Sequence, residues 1–329
     1  MQYRHLGQTG LQVSRICLGT MTFGLQTEKN EAFQILEKAA EAGVNFIDTA
    51  DVYPLGGDLT TAGRTEEIVG AWLSGKRQNF ILATKAWGKM GPNSWDQGSS
   101  RKHLIDAIDA SLRRLGTDYV DLYQLHSDDP HTPLDETVEA MDAIVRSGKA
   151  RYIGVSNFLA YRLARALGRS ALKGLARFIS VQPRYNLLFR QIERELLPLA
   201  LEEGVGVIPY NPLAGGLLTG KHRLQAGPPE GRFQLGTAAK TYQDRYWHER
   251  EFATVEELRG IASAGGIALP QAAIAWVLAH PAVTSAIIGA SRASQLNDTL
   301  SSADVTLDAD LKKRFDELTH TYRWGDASR

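Results

Sequence analysis

Phe46-Ile47-Asp48-Thr49-Ala50-Asp51-Val52-Tyr53 passes from apolar to polar within three residues. A strand that ends on Asp48 and delivers Tyr53 just past its tip accounts for that order. The same pattern recurs at Ile81-Leu82-Ala83-Thr84-Lys85 and at Leu122-Tyr123-Gln124-Leu125-His126, where an ammonium and an imidazole close two further apolar runs. Apolar runs of this kind, separated by helical patterns, read as strands buried on both faces of a parallel sheet. If the three strands are neighbours, one mouth gathers a carboxylate, a phenol, an ammonium and an imidazole, because barrels of parallel strands carry their sites at the carboxyl ends.

Working outward, strands are expected at 16–20, 44–48, 79–84, 119–125, 151–155, 178–182, 205–210 and 285–288. Between them lie helical patterns. Leu104, Ile108, Leu112 and Leu115 share one face ahead of Gly116 as a stop, and Thr132-Pro133 reads as a cap with proline in the first turn. Eight such units close most economically as a single α/β domain over 1–329, a (β/α)8 TIM barrel. Tyr3–Leu6 and Leu11–Val13 flank the turn from Gly7 to Gly10 and read as an N-terminal β-hairpin under the barrel floor. From Asn211 to about Arg250, after the seventh strand, no regular element is evident, and connections that long are usually lids. Tyr242, Tyr246 and Trp247 favour a lid that touches something over a loose surface insertion. A C-terminal helix and tail fill about 308–329.

Lys+Arg and Asp+Glu both number 37. That balance gives no reason to expect a nucleic-acid partner or a membrane surface. The one cysteine, Cys17, sits in an apolar run and reads as a buried small hydrophobe. The start, Met1 to Gly7, has no apolar core of the kind a signal peptide needs, and the uncharged stretch 271–290 is split by His280-Pro281. A cytoplasmic protein is the expectation. Gly215 to Lys221 imitates a phosphate loop, but His222 stands where that motif needs Ser or Thr. His126-Ser-Asp-Asp-Pro-His131 imitates a metal cluster without the companions such sites carry, so no metal is expected.

The four residues suit proton delivery to a carbonyl while something else delivers a hydride. A free phenol titrates near pH 10, and a neighbouring ammonium favours its ionised form. Tyr53 is then the general acid, Lys85 its tuner, Asp48 the anchor of Lys85, and His126 an orienter of the carbonyl. Trp87 reads equally as packing or as a substrate wall.

These positions and their surroundings resemble the aldo-keto reductase family. The likeness runs through Tyr3-Arg-His-Leu-Gly-Gln-Thr-Gly-Leu-Gln-Val-Ser14, Leu18-Gly-Thr-Met-Thr-Phe-Gly24, Ile153-Gly-Val-Ser-Asn157, Val181-Gln-Pro-Arg-Tyr-Asn186, Pro209-Tyr-Asn-Pro-Leu-Ala-Gly-Gly-Leu-Leu-Thr-Gly-Lys221 and Ile287-Ile-Gly-Ala-Ser-Arg292. Within the family it is similar to bacterial members related to potassium channel β subunits. The resemblance implies an NADPH-dependent reductase of aldehydes and ketones, with NADH the less expected cofactor and a small carbonyl compound as partner. It also implies that Thr20, Met21 and Asp48 lie beside the nicotinamide, and that Ser156, Asn157 and Gln182 bond its carboxamide. Tyr210 would stack on the ring. Asn211, Pro212, Leu213, Ala214, Gly215 and Lys221 would follow the pyrophosphate. Arg232, Gly289, Ser291, Arg292 and Gln295 would surround the adenosine end, the arginines pairing with a 2′-phosphate. Trp87, Tyr246 and Trp247 would wall the substrate pocket. The stretch between Tyr53 and Glu66 is longer than in the family's shorter members, which bears on substrate preference. Two other readings remain: a cofactor-binding regulatory subunit, and a Schiff-base aldolase using Lys85. Oligomeric state is not legible.

Overall fold

The computed structural model describes residues 1–228 and 231–325. Residues 229–230 of the expected lid and 326–329 of the expected tail lie outside the described residues. Two short antiparallel strands, β1 (Tyr3–His5) and β2 (Gln12–Ser14), form the hairpin. Eight parallel strands follow: β3 (Ile16–Gly19), β4 (Phe46–Asp48), β5 (Ile81–Ala86), β6 (Val120–Leu125), β7 (Ala150–Ser156), β8 (Phe178–Gln182), β9 (Gly206–Val207) and β10 (Ala286–Gly289). They are ordered β10-β3-β4-β5-β6-β7-β8-β9. Backbone bonds join the two ends of that order: Thr284 N to Val207 O at 2.8 Å and Ile287 N to Pro209 O at 2.9 Å. The result is a TIM-barrel-like α/β fold. β9 is shorter than its apolar run because Pro209 has no N–H to give a ladder.

The barrel holds two cores. Inside, Cys17, Phe46, Ala83, Leu122, Ile208 and Ile287 form one apolar layer, closed from below by Leu6 and Val13 of the hairpin. The hairpin docks by backbone, Gln8 N donating to Gly204 O at 2.9 Å. Gly7 is needed there: its φ is +59°, and a Cβ would meet Gly204 O at 2.7 Å and Ile179 O at 2.8 Å. Outside, the helices lay their apolar faces on the sheet. Arg101–Leu115 buries Leu104, Ile108, Leu112 and Leu115, is capped by the Ser100 hydroxyl, and stops at Gly116 in the left-handed region.

Two expectations need correction. The helix after β6 is Leu134–Arg146, and Thr132 does not cap it; the hydroxyl donates to Asp129 Oδ2 at 2.7 Å instead. The lid is not devoid of regular structure. It contains short 3-10 turns, an α-helix at Ala239–Tyr246, and the start of the helix Glu249–Ala264. Tyr242 and Tyr246 stand four apart, and that helical spacing was the overlooked signal. Among the described residues no single helix is long and apolar enough to cross a membrane.

Candidate active site

Above the apolar layer the barrel interior turns polar. Register pairs Asp48 with Gly19 and Ala83, and Lys85 with Gln124, which in turn pairs with Gly154. Inward residues alternate along each strand, so Phe46 and Asp48, Ala83 and Lys85, Leu122 and Gln124 each place an apolar group low and a polar one high.

Lys85 is fully buried and spends its three N–H donors on three acceptors. Nζ donates to Asp48 Oδ2 at 2.6 Å, to Thr49 O at 2.8 Å and to Tyr53 Oη at 3.4 Å. The other oxygen of Asp48, itself 2% exposed, accepts from Gln182 Nε2 at 2.9 Å and Gln124 Nε2 at 3.1 Å. The His126 ring meets the Tyr53 ring edge-on, centroids 5.6 Å apart. The structure thus brings together the four residues that sequence placed at the ends of three strands. It adds Gln124, which sequence reasoning passed over. The signal was present: a glutamine in an apolar strand, two residues before His126 and on the same face.

The electrostatics depart from expectation at Tyr53. Burial dominates and raises the phenol above its ordinary value; Lys85 opposes that and Asp48 adds to it. The ammonium has the expected sign of effect but is outweighed, because the low-dielectric site penalises the phenolate more than one cation compensates. Tyr53 therefore holds its proton, as a donor must. For Lys85 burial is again the largest effect and works against charge, yet Asp48 and Tyr53 together raise the ammonium above its usual value. Burial, then Lys85, lowers His126 to about 3, so the imidazole is neutral at neutral pH.

The remaining candidates form an arc over β3 and β7 to β10. Thr20 is buried, its hydroxyl donating to Asp48 O at 2.9 Å. Ser156 Oγ donates to Gln182 O at 2.8 Å. Asn157, at φ +56°, donates to His126 O at 2.9 Å and accepts from Tyr210 Oη at 2.8 Å, tying three candidates into one chain. Asn211, Ala214, Gly215 and Gly216 all have positive φ, within a stretch that also holds Pro212 and Leu213. Ala214 N and Gly216 N are spent inside this turn, on Asn211 O and Leu213 O at 2.9 Å each, so what it offers an anion is close approach to its glycine backbone. Lys221 is exposed nearby in sequence. After β10, Ser291 N donates to Gln295 Oε1 at 2.9 Å, flanked by Gly289 and the exposed Arg292. Gln182 Oε1 accepts from no described residue, and Gly215 and Gly216, both at positive φ, let a phosphate approach the backbone closely. The residues fit a nicotinamide dinucleotide.

Three placements differ from those expected. Arg232 Nη1 lies 3.4 Å from Met21 Sδ and 3.3 Å from Tyr242 Oη, so Met21 at the nicotinamide and Arg232 at the adenosine end do not fit one another. Tyr246 is not a pocket wall: it is 0% exposed, accepting a bond from Asn186 Nδ2 at 3.1 Å. Trp247 packs its ring against Phe233, His222 and Phe252, within the lid and its adjoining helix. Tyr246 is sealed between Tyr242 of the lid and Arg184 and Asn186 beyond β8, whereas Trp247 covers its apolar area within the lid and the adjoining helix. Trp87, 38% exposed, remains just beyond β5. In the His126–His131 run the carboxylates are engaged structurally: Asp128 pairs with Arg162 at 2.7 Å, and Asp129 accepts from Ser99 N and Thr132 Oγ1.

A parallel α/β barrel with a buried lysine–carboxylate pair under a tyrosine at its carboxyl mouth defines an oxidoreductase-type site. The Aldo/keto reductase family model matches residues 15–320, and the chain belongs to that family. It is 36% identical over 326 residues to "Uncharacterized oxidoreductase YrpG" of Bacillus subtilis, covering 97% of this chain and 96% of that protein. It is 40% identical over 311 residues to "Probable voltage-gated potassium channel subunit beta" of Arabidopsis thaliana, covering 93% and 92%. With "Versiconal hemiacetal acetate reductase" of Aspergillus parasiticus it shares 32% over 337 residues, covering 93% and 94%.

Proposed function

We propose that the protein reduces small aldehydes or ketones to alcohols with NADPH, Tyr53 delivering the proton to the carbonyl oxygen. The observation that carries this is the buried Lys85 Nζ held between Asp48 Oδ2 at 2.6 Å and Tyr53 Oη at 3.4 Å. A bound reduced nicotinamide would supply the hydride. Thr20, Met21, Ser156, Asn157, Gln182 and Tyr210 would hold its ring, residues 211–215 and Lys221 its pyrophosphate, and Gly289, Ser291, Arg292 and Gln295 its adenosine.

This chain's residues do the rest. Tyr53, protonated because burial disfavours the phenolate, gives its proton to the oxygen as charge develops there. The phenolate left behind faces Lys85, whose charge Asp48 maintains. His126, neutral, offers a hydrogen bond to the same oxygen without competing for its proton. A protonated, fully committed Lys85 is a poor nucleophile, which disfavours the Schiff-base reading. Trp87 beside the mouth favours apolar or aromatic carbonyls; equal rates on small anionic ketoacids would contradict that. Preference for NADPH over NADH rests on Arg292 as the 2′-phosphate partner.

Tyr53→Phe removes only the phenolic oxygen. Turnover of an aromatic aldehyde should fall by about 10²–10⁴-fold. NADPH affinity, read from tryptophan fluorescence, should stay within about twofold, since stacking and phosphate contacts are untouched. Retained turnover would sink the assignment. The likeness to the channel subunits favours a second reading, a cofactor-binding regulatory subunit with little turnover. NADPH oxidation with nitrobenzaldehyde separates the two, because only a reductase consumes NADPH steadily.

A further inference from the structure

We propose that Gln124 is a positioning residue: it fixes the amide of Gln182 so that the nicotinamide carboxamide subsite accepts only a hydrogen-bond donor. The inference rests on the nicotinamide reading above. It starts from the chemistry of Asp48, whose carboxylate, bonded by the Lys85 ammonium, serves as an acceptor. Both glutamines that touch Asp48 Oδ1 must therefore present their NH2 groups, Gln182 at 2.9 Å and Gln124 at 3.1 Å. Gln182 has a second N–H, and Gln124 Oε1 accepts it at 3.3 Å. Both donors of Gln182 are then spent, and its Oε1 is the one uncommitted group of the amide.

Gln124 is fully buried, and among the described residues its side chain bonds only Asp48 and Gln182. The neighbouring Gly154 is required by Ser180 and not by Gln124, which a Cβ there would meet only at ordinary contact distance. A Cβ at 154 would meet Ser180 Oγ at 2.2 Å and Gln124 Cγ at 3.4 Å. Without the Gln124 carbonyl, Asp48 alone restrains Gln182 through one N–H, and the amide is free to turn about that bond. An acceptor-only Oε1 rewards the carboxamide NH2. It gives nothing to a ring whose carboxamide is replaced by an acetyl group, which keeps the carbonyl and loses the donor.

The test is equilibrium binding of NADP⁺, its 3-acetylpyridine analogue and its thionicotinamide analogue, followed by tryptophan fluorescence quenching. Wild-type protein should bind NADP⁺ about tenfold more tightly than the acetylpyridine analogue, one hydrogen bond's worth, and the thionicotinamide analogue, which keeps the NH2, about as well as NADP⁺. Gln124→Met, and Gln124→Asn should the first variant not fold, should bring the tenfold preference to about threefold or less. Gln182→Met should do the same, and the double variant should add nothing. A merely structural role for Gln124 would weaken all three ligands together and leave their ratios alone. Unchanged ratios in the Gln124 variants, or equal binding of NADP⁺ and the acetylpyridine analogue by wild type, overturn the proposal. No quenching of wild type by NADP⁺ or NAD⁺ overturns the cofactor reading beneath it, a separate result.

Discussion

Asp48 and Asp51 leave the same strand three residues apart and meet different environments. Asp48 receives one ammonium and two amide donors. Asp51 is 0% exposed, and neither of its carboxylate oxygens has a hydrogen-bond partner among the described residues. Burial first, and Glu66 second, push its carboxyl well above the usual carboxylate range. Folded protein thus keeps a proton that unfolded chain releases at the ordinary value. Between those two values the folded state binds more protons, so stability falls as pH rises, by about 1.4 kcal/mol per pH unit at most. Asp51→Asn removes the titration. Its melting temperature relative to wild type should climb from pH 5 to pH 8, and a flat difference would show Asp51 ionised in the fold.

At the scale of elements, the lid is a strap. It leaves the mouth after β9 and crosses to the loop beyond β4, where Gly236 and Gly56 meet backbone to backbone. Gly236 has φ +45°, and a Cβ there would meet Gly56 O at 2.1 Å; a Cβ on Gly56 would meet Leu235 O at 2.8 Å. The stretch between Tyr53 and Glu66 is therefore the strap's landing site. Gly236→Ala should lift the strap at a cost of about 1–2 kcal/mol. Trypsin cleavage after Arg232 should then quicken by about tenfold. An unchanged cleavage rate would mean that the strap is held from its helix, Ala239–Tyr246, and not from its tip.

For the whole molecule, the ring of strands depends also on the seam between its first strand in sequence, β3, and its last, β10. Arg15, just before β3, is buried and donates to Val283 O at 2.5 Å, Thr284 O at 2.9 Å and Leu278 O, the carbonyls between the helix Leu269–Leu278 and β10. Burial, then Arg4, lowers the guanidinium to about 10, still charged at neutral pH. Arg15→Met keeps the length and apolar stem but strands three carbonyls. A loss of about 3 kcal/mol is expected in denaturant melts, more than a typical surface substitution. A change under about 0.5 kcal/mol would show that closure rests on the strand ladder alone.

Sequence by itself determined the alternation of strands and helices, the hairpin, and the four residues at three strand ends. Those features are written in local periodicity and in which residue type follows an apolar run. Only the tertiary structure decided the rest. That Gln124 and Gln182, 58 positions apart, share one carboxylate oxygen depends on register between strands that no local pattern encodes. That Tyr246 is sealed between the lid and the segment beyond β8, with no exposed surface, depends on where the strap docks. That burial outweighs Lys85 in holding the Tyr53 proton depends on how much water the closed barrel excludes, a property of the assembled cylinder and of no single residue.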